Sequence, residues 1–382
     1  MPIDYNKIRV RVRPGRIVRN YRRLEALDSC CAPVIKSDAY GHGLVPVAKA
    51  LAAAGARTLA VGTADEAAKL RDSGFSGEIL ALLGAIEAED NGLLWRARVV
   101  PAVFDLAQLE RLQQAAPPGA PPLEVALKFD TGMARLGFAP NEAGRAAQAM
   151  TRFDRLRATL AMSHLTSADD PEAEASTREQ GRGFARIVQE LRAAGLRCRA
   201  SLCNSAGIMA FPQLRHELQR PGIALYGANP FAGTSLELLG RDLEPAMEVS
   251  APVLQMRDLS RGRSVSYGRT FVAARDMRVA VVAAGYADGY SRSLSSPAGQ
   301  GPSVMLRGAR APILGRVCMQ MCVVDVSGIP DVAPGDRAWL LGAPGEAAIR
   351  PEELAGWWGT IPYEVFCVLG CNPREVVADE DA

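Results

Sequence analysis

The stretch VIKSDAYGHG, residues 34–43, ends an apolar run on a lysine and then turns through a histidine set between two glycines. Val34 and Ile35 lead straight into Lys36, at a place where burying an ammonium group is costly. A lysine half-buried at the end of a strand is often a functional amine. What fails to follow it is equally informative. An open doubly wound sheet needs a glycine-rich phosphate turn after its first strand, and G-x-G-x-x-G is absent here.

Working outward from this strand, short apolar segments recur at 32–36, 58–62, 78–83, 99–104, 123–129, 156–164, 199–203 and 222–226. Helix-like stretches rich in Ala and Leu lie between them, such as 44–54, 64–72, 106–115 and 176–194. Gly55, Gly74 and Gly195 close several of these, as glycine does at helix ends. Eight strand–helix units over about 200 residues is the count of a (β/α)8 barrel. The Pro/Gly stretch 117–122 is short enough to be a barrel loop. After about residue 242 the helix period fades, and alternating or β-branched runs appear at 249–254, 278–282, 303–306, 322–326 and 338–341. Gly268, Gly285, Gly301, Gly308, Gly315, Pro330 and Gly335 punctuate them. The fold class expected is α/β, an N-terminal (β/α)8 barrel over 1–241 followed by a mostly antiparallel β domain over 242–382. The first strand, with its alternating pattern, is free to join the β domain.

Composition narrows the function classes. The 382 residues are 48% hydrophobic and 23% charged, with a formal net charge of +2. This is ordinary for a soluble protein of two domains, and it gives no support for a nucleic-acid partner. Arg9, Arg11, Arg13, Arg16, Arg19, Arg22 and Arg23 crowd the N-terminus. The alternation of Arg9–Arg13 with Val10 and Val12 reads as an edge strand with a solvated face rather than an RNA-binding arm. Eight cysteines without an apolar leader near Met1 argue for free thiols in a reducing compartment, the cytoplasm. Cys318/Cys322 and Cys367/Cys371 have a three-residue gap and no nearby histidine, so they read as small buried residues rather than a zinc site. No run is long enough to span a membrane. The closing ADEDA, 378–382, reads as a frayed acidic tail.

The polar residues at the strand ends carry the chemistry. Strand one ends on Lys36, and strand five runs into Lys128, Asp130 and Arg135. Strand six ends on Ser163-His164, strand seven on Asn204-Ser205, and Arg220-Pro221-Gly222 precedes strand eight. Barrel active sites are built at this C-terminal face. Ser205 and the backbone at Gly222-Ile223 can supply a hydroxyl and close amides for a phosphate. A barrel lysine with a phosphate site meets the needs of pyridoxal phosphate held as a Schiff base.

On these residues the sequence resembles the pyridoxal-phosphate-dependent alanine racemases over nearly its whole length. VIKSDAYGHG looks like their cofactor-lysine motif. KFDTGMARLG, SHLTSADD, CNSAGIM, RPGIALYG, SVSYGRTF, AAGYADGYSR, GRVCM and IPYEV match the remaining motifs in order. The resemblance implies a homodimer with shared active sites, each borrowing residues from the partner's β domain. Racemisation needs two acid–base groups on opposite faces of the cofactor. By resemblance these are Lys36, which also anchors the cofactor, and Tyr267 from the partner. A phenol ordinarily titrates near about 10 and needs a cationic setting to act as a base at neutrality; His164 and Arg220 would provide it. Arg220 facing the pyridine nitrogen would keep that nitrogen unprotonated and weaken the electron sink. Arg135 would hold the cofactor's phenolic oxygen and the substrate carboxylate, and Lys128 looks like a carbamylated lysine. Tyr40, Ser205, Gly222, Ile223 and Tyr363 would hold the phosphate, with Asn204 beside them. Met319 and Tyr286 would meet the substrate; Asp169, Arg292 and Arg316 would line its entrance. Gln320 stands where the family usually has aspartate, which bears on substrate range. Ser37 and Asp38 also vary, in a loop that tolerates change, and His42 reads as loop structure. The implied activity is interconversion of L- and D-alanine, supplying D-alanine for peptidoglycan. A racemase of broader, serine or basic amino-acid preference is the alternative. A decarboxylase of related architecture fits RPGIALYG and VSYGRT less well, and a non-catalytic binding protein would need neither Lys36 nor Tyr267.

Overall fold

The computed structural model describes residues 6–28, 30–343 and 348–378. The tail from position 379 onward and the residues next to Met1 lie outside these. The chain divides into two compact units. One comprises Ile17–Ala39 and Leu44–Leu243; the other comprises Met1–Arg16, Tyr40–Gly43 and Glu244–Ala382. Each is described by itself.

In the first unit, Thr58–Val61, Glu78–Ala81, Val100–Val103, Leu123–Lys128, Leu156–Met162 and Arg199–Ser201 pair in that order as a six-stranded parallel sheet. Thr58–Val61 and Val100–Val103 are buried at every position. That is why they read as continuous apolar runs: helices cover the outer face and side chains fill the inner one. Two further staves close the curl through single bridges. Val34 bridges to Ala60 and Cys31 to Gln219. Ala32 N–H donates to the Gln219 carbonyl at 2.7 Å, Val34 N–H to Pro221 at 2.8 Å and Leu218 N–H to Ala200 at 3.1 Å. The eighth stave is therefore 218–221. The expected strand at 222–226 is instead a 3₁₀ turn, Ile223–Tyr226, ended by Gly227 at φ 84°. Its Tyr226 hydroxyl donates to the Val34 carbonyl at 2.9 Å, fastening the turn to stave one.

The intervening helices are set by their ends and one apolar stripe. Thr63 and Glu66 form a capping box on Ala64–Asp72, and Asp105 caps Leu106–Gln114. Glu174–Ala193 buries Thr177, Phe184, Ile187, Val188 and Leu191 at helical spacing. Among the described residues, no helix is long and apolar enough to cross a membrane.

The second unit is a mostly antiparallel sheet ordered Ala309–Pro312, Ser303–Leu306, Arg337–Leu341, Met247–Leu259, Arg9–Val12, Arg374–Val376. Met247–Leu259 also pairs with Met277–Val282, and that strand with Cys322–Asp325. Arg9–Val12 is not an edge strand: it lies between an antiparallel and a parallel neighbour. The alternation was real, since Val10 and Val12 are buried and Arg9 and Arg11 exposed, but a paired strand shows the same period. Two short helices, Pro351–Trp358 and Pro362–Leu369, were not expected in this unit. Of the four cysteines read as small buried residues only Cys322 is fully buried; Cys371 is exposed.

The N-terminal arginines have structural partners. Arg11 lies over the Trp339 ring at 5.7 Å. Arg13 is buried against Glu248, with Nε 3.1 Å from Oε1, and Arg16 reaches the same oxygen at 3.4 Å. Glu248→Ala leaves the buried Arg13 guanidinium without its anion. A loss of about 3 kcal/mol or more is expected, read as a lower urea midpoint; an unchanged midpoint would contradict a buried pair.

Candidate active site

Lys36 closes stave one, whose Val34 and Ile35 are buried. The chain then does something costly. Ser37, Asp38, Ala39 and Tyr40 have φ of 53°, 53°, 55° and 53°, a left-handed turn of four non-glycine residues. Such a conformation costs roughly 1–2 kcal/mol per residue and persists only where surrounding structure dictates it. Ala39 N–H returns to the Ile35 carbonyl at 2.9 Å, and Leu44 N–H donates to Asp38 Oδ1 at 2.7 Å. The loop that seemed tolerant of change therefore depends on Asp38.

Beyond the turn, Tyr40–Gly43 packs within the second unit. Tyr40 stacks 5.7 Å from the Tyr363 ring. Burial pushes the Tyr40 phenol above its usual range, and Tyr363 and Cys367 add to this. Gly41 is at φ 77°, and a Cβ there would lie 2.4 Å from the Phe366 carbonyl, so only glycine fits. His42 packs edge-on against Phe366 at 4.9 Å, with Nδ1 3.0 Å from the Tyr40 carbonyl. It braces the loop.

Back in the barrel mouth, cations crowd together. Arg220 is fully buried and donates to Ser201 Oγ and to the Ser163 carbonyl, with Leu202 O at 3.4 Å. Burial lowers it to about 10, which still leaves it charged at neutrality. Lys128 is only 8% exposed. Burial, then Arg135, Arg220 and Lys36, bring it down to about 8, with Asp130 opposing. Burial, then Arg220, Arg135, Lys128 and Lys36, hold His164 well below its ordinary value, which favours the neutral imidazole over the cationic role expected from the sequence. The nearby carboxylate is already committed. Burial would raise Asp130, but the N–H groups of Gly132, Ala134, Arg135 and Met133 hold it low. Gly132 and Met133 donate to it at 2.8 Å and Arg135 at 3.0 Å. Its loop folds back on strand five, with Phe138 N–H on the Lys128 carbonyl at 2.8 Å. Gly137 permits this at φ 148°, since a Cβ would meet Asp130 N at 2.3 Å.

A hydroxyl-and-amide nest lies at the ends of the late staves. The buried Ser205 Oγ accepts from Gly222 N–H at 2.9 Å and Ala224 N–H at 3.3 Å, with Ile223 between. Asn204 caps the following short helix by accepting from Gly207 N–H at 3.0 Å. The donor set suits a doubly anionic cofactor carrying a phosphate and a phenolic oxygen: a hydroxyl with convergent amides, then a cluster of cations. Among the described residues no group of His, Cys, Asp and Glu could hold a metal.

The second unit presents a separate surface. Tyr267 is 73% exposed on a tight turn, flanked by Ser266 at φ 62° and Arg269 at φ 49°. Ser266 Oγ donates to the Arg316 carbonyl at 2.6 Å. Tyr286 N–H and Ala287 N–H donate to Cys318 and Met319 carbonyls at 3.1 and 2.8 Å. Hydrogen bonds thus join the loops of Tyr267, Arg316, Met319 and Tyr286. Tyr286, Met319, Met321, Ile361 and Tyr363 are each exposed. Gln320 is exposed beside Met319. Asp169 and Arg292 are exposed and belong to different units. Sequence reasoning gave no role to Ser163 and Ser201, whose oxygens accept hydrogen bonds from Arg220. The available signal was small polar residues inside apolar strands.

Comparison with known proteins follows from this geometry. Residues 12–230 match the family model described as alanine racemase, N-terminal domain, and residues 246–377 that of the C-terminal domain. The alanine racemase of Nitratidesulfovibrio vulgaris is 54% identical over 374 residues, covering 98% of this chain and 99% of that protein. A catabolic alanine racemase of Pseudomonas putida is 36% identical over 361 residues, 94% and 96% of the two chains. The crystal structure of the biosynthetic alanine racemase from Pseudomonas aeruginosa superposes with TM-score 0.86 at 32% identity, covering 97% and 99%. That of the Bartonella henselae enzyme, described with covalently bound pyridoxal phosphate, gives 0.84 at 29%, covering 97% and 99%.

The Lys128 shift has a measurable sign. Below pH about 8 the amine is charged in both folded and unfolded chains, and the folded state bears the whole cost of burying it. Between about 8 and 10.5 the folded chain has released a proton the unfolded chain still holds, so stability rises with pH. In bicarbonate-free buffer, Lys128→Met should melt higher than the wild type at pH 7, and the gap should shrink toward pH 10. A gap independent of pH would contradict the assignment.

Proposed function

The chain belongs to the alanine racemase family of isomerases, and on that premise we propose that it interconverts L- and D-alanine on pyridoxal phosphate with two bases, Lys36 and Tyr267. The observation that carries the reading is the barrel mouth. Lys36, Lys128, Arg135 and Arg220 surround a neutral His164, and Asp130 is spent on backbone amides. A cluster of cations suits an anionic guest.

When bound, pyridoxal phosphate supplies an electron sink for the pair left behind as the Cα proton departs. Lys36 would anchor it and then take or return the proton on one face. Ser205, Gly222, Ile223, Tyr40 and Tyr363 would hold the phosphate, with Asn204 fixing the Ser205 helix. Arg220 does not give up its proton, and its hydrogen bonds to Ser201 and Ser163 fix its direction. It would meet the ring nitrogen and keep it from being protonated, limiting side reactions of a stronger sink. Arg135 would take the phenolic oxygen and the substrate carboxylate. Lys128, with its amine brought near 8, is disposed to capture carbon dioxide as a carbamate, which would place an anion beside Arg135.

Tyr267 would serve the opposite face, delivered by a second copy of the chain. Its exposure supports this, as does its hydrogen-bonded grouping with Met319, Tyr286 and Arg316. Met319 would meet the substrate carboxylate through its backbone N–H, which Gln320 leaves intact. Tyr286, Asp169, Arg292 and Arg316 would line the way in. The eight free cysteines support a reducing, cytoplasmic setting, where the D-alanine formed would feed peptidoglycan synthesis.

A chiral product assay with added pyridoxal phosphate should show D-alanine forming from L-alanine much faster than the corresponding products from L-serine, L-lysine or L-arginine. Turnover mainly of those others would move the function to a broader racemase. Tyr267→Phe should keep the cofactor yet lose about 10²–10⁴-fold in turnover. It should still exchange the Cα hydrogen of one alanine enantiomer, and only one, with deuterated solvent. Equal loss of exchange from both enantiomers would contradict the two-base arrangement.

A further inference from the structure

The left-handed turn after Lys36 needs a partner for the Asp38 N–H, and a carboxylate from the next barrel unit provides one. Glu66 Oε1 accepts from Asp38 N–H at 3.2 Å. Its other oxygen, Oε2, accepts from Gly62 N–H at 2.7 Å and Thr63 N–H at 3.3 Å, completing the helix cap. Capping alone uses one of the two oxygens. The geometry at Gly62 shows how near the amine stem lies: a Cβ built there would be 3.1 Å from Glu66 Oε2 and 3.5 Å from Lys36 Cβ.

We infer that Glu66 is a positioning residue for Lys36, holding the Asp38 peptide so that the left-handed turn aims the lysine stem. The ties that hold the turn within its unit include Ala39 N–H to Ile35, Leu44 N–H to Asp38 Oδ1, and Asp38 N–H to Glu66. The last joins it to another stave. Rotation of the Asp38 peptide is transmitted to the Cα–Cβ direction of Lys36 two residues earlier, and reacting groups tolerate little misplacement. The inference rests on the reading of Lys36 as the cofactor amine.

Glu66→Gln separates capping from positioning. Glutamine is accepted at this capping-box position and can keep its carbonyl oxygen on Gly62 and Thr63. Its amide then faces the Asp38 N–H, donor against donor. Thr63→Ala does the converse, weakening the cap and leaving the tie to Asp38. The experiment mixes each cofactor-free protein with pyridoxal phosphate and follows the Schiff-base absorbance, with borohydride trapping and peptide mass mapping to locate the adduct. Melting temperature and steady-state kinetics accompany it. Glu66→Gln should slow capture at Lys36 and lower kcat by about tenfold, the worth of one hydrogen bond to a charged acceptor. KM should stay within about twofold and melting should barely change. Thr63→Ala should melt lower yet capture at the wild-type rate. Capture by Glu66→Gln at the wild-type rate overturns the inference, as does a capture defect that tracks melting across both variants. A wild-type chain that forms no adduct at Lys36 overturns the cofactor reading, and this inference with it.

Discussion

The barrel mouth is organised by clustered positive charge. Arg135, Arg220 and Lys36 act on Lys128, and all four cations act on His164, with burial the largest influence on Lys128, His164 and Arg220. A carboxylate lies close by, but its oxygens are engaged by the backbone of its own loop. Cations in a low-dielectric setting are costly unless they are paired. Arg220 lowers its cost by spending donors on Ser201, Ser163 and Leu202. A guest with a phosphate, a phenolic oxygen and a substrate carboxylate would bring anions to this cluster. The proposed carbamate on Lys128 would supply one more.

Rigid backbone carries this charge. Lys36 sits where a stave ends and a left-handed turn begins, and the turn is tied to Ile35, Leu44 and Glu66. The chain then enters Tyr40–Gly43, which Gly41, His42 and Phe366 pack too tightly for any larger residue at 41. Tyr40 beside Tyr363 is one outcome. Stored strain of this kind fixes the stem of a side chain more firmly than a relaxed loop would. On the second unit the same device recurs at Tyr267, held between positive-φ residues at Ser266 and Arg269.

Much of this was legible in the sequence, for physical reasons. Strands buried on both faces are continuous apolar runs, so all six laddered barrel strands could be placed from residue type. A lysine or arginine closing such a run stands out, and Lys36, Lys128 and Arg220 were found in this way or through the motifs around them. The eighth stave was displaced because it is irregular backbone at 218–221, while the following IALY has strand composition but turns between Gly222 and Gly227. Pro351–Trp358 and Pro362–Leu369 were missed because each is one short helix, the first ending on two tryptophans and the second built on tyrosine, valine and phenylalanine, types that favour strands. Ser163, Ser201 and Glu66 act on backbone groups or guanidinium protons far away in sequence, and only the folded chain shows them what they face. Arg9–Val12 is the converse case. Period 2 reports which face is buried, but not how many neighbours a strand has.

The proposal that each active site is assembled from Lys36 of one chain and Tyr267 of another is open to a direct test. Co-expression of Lys36→Ala with Tyr267→Phe, each expected to lose about 10²-fold or more in turnover when made alone, provides it. A mixed dimer would carry one site with both substitutions and one with neither. The account predicts that activity returns in the mixed species and co-purifies with the heterodimer. If mixed dimers form and stay as inactive as the parent variants, both bases belong to a single chain and the shared-site account is wrong.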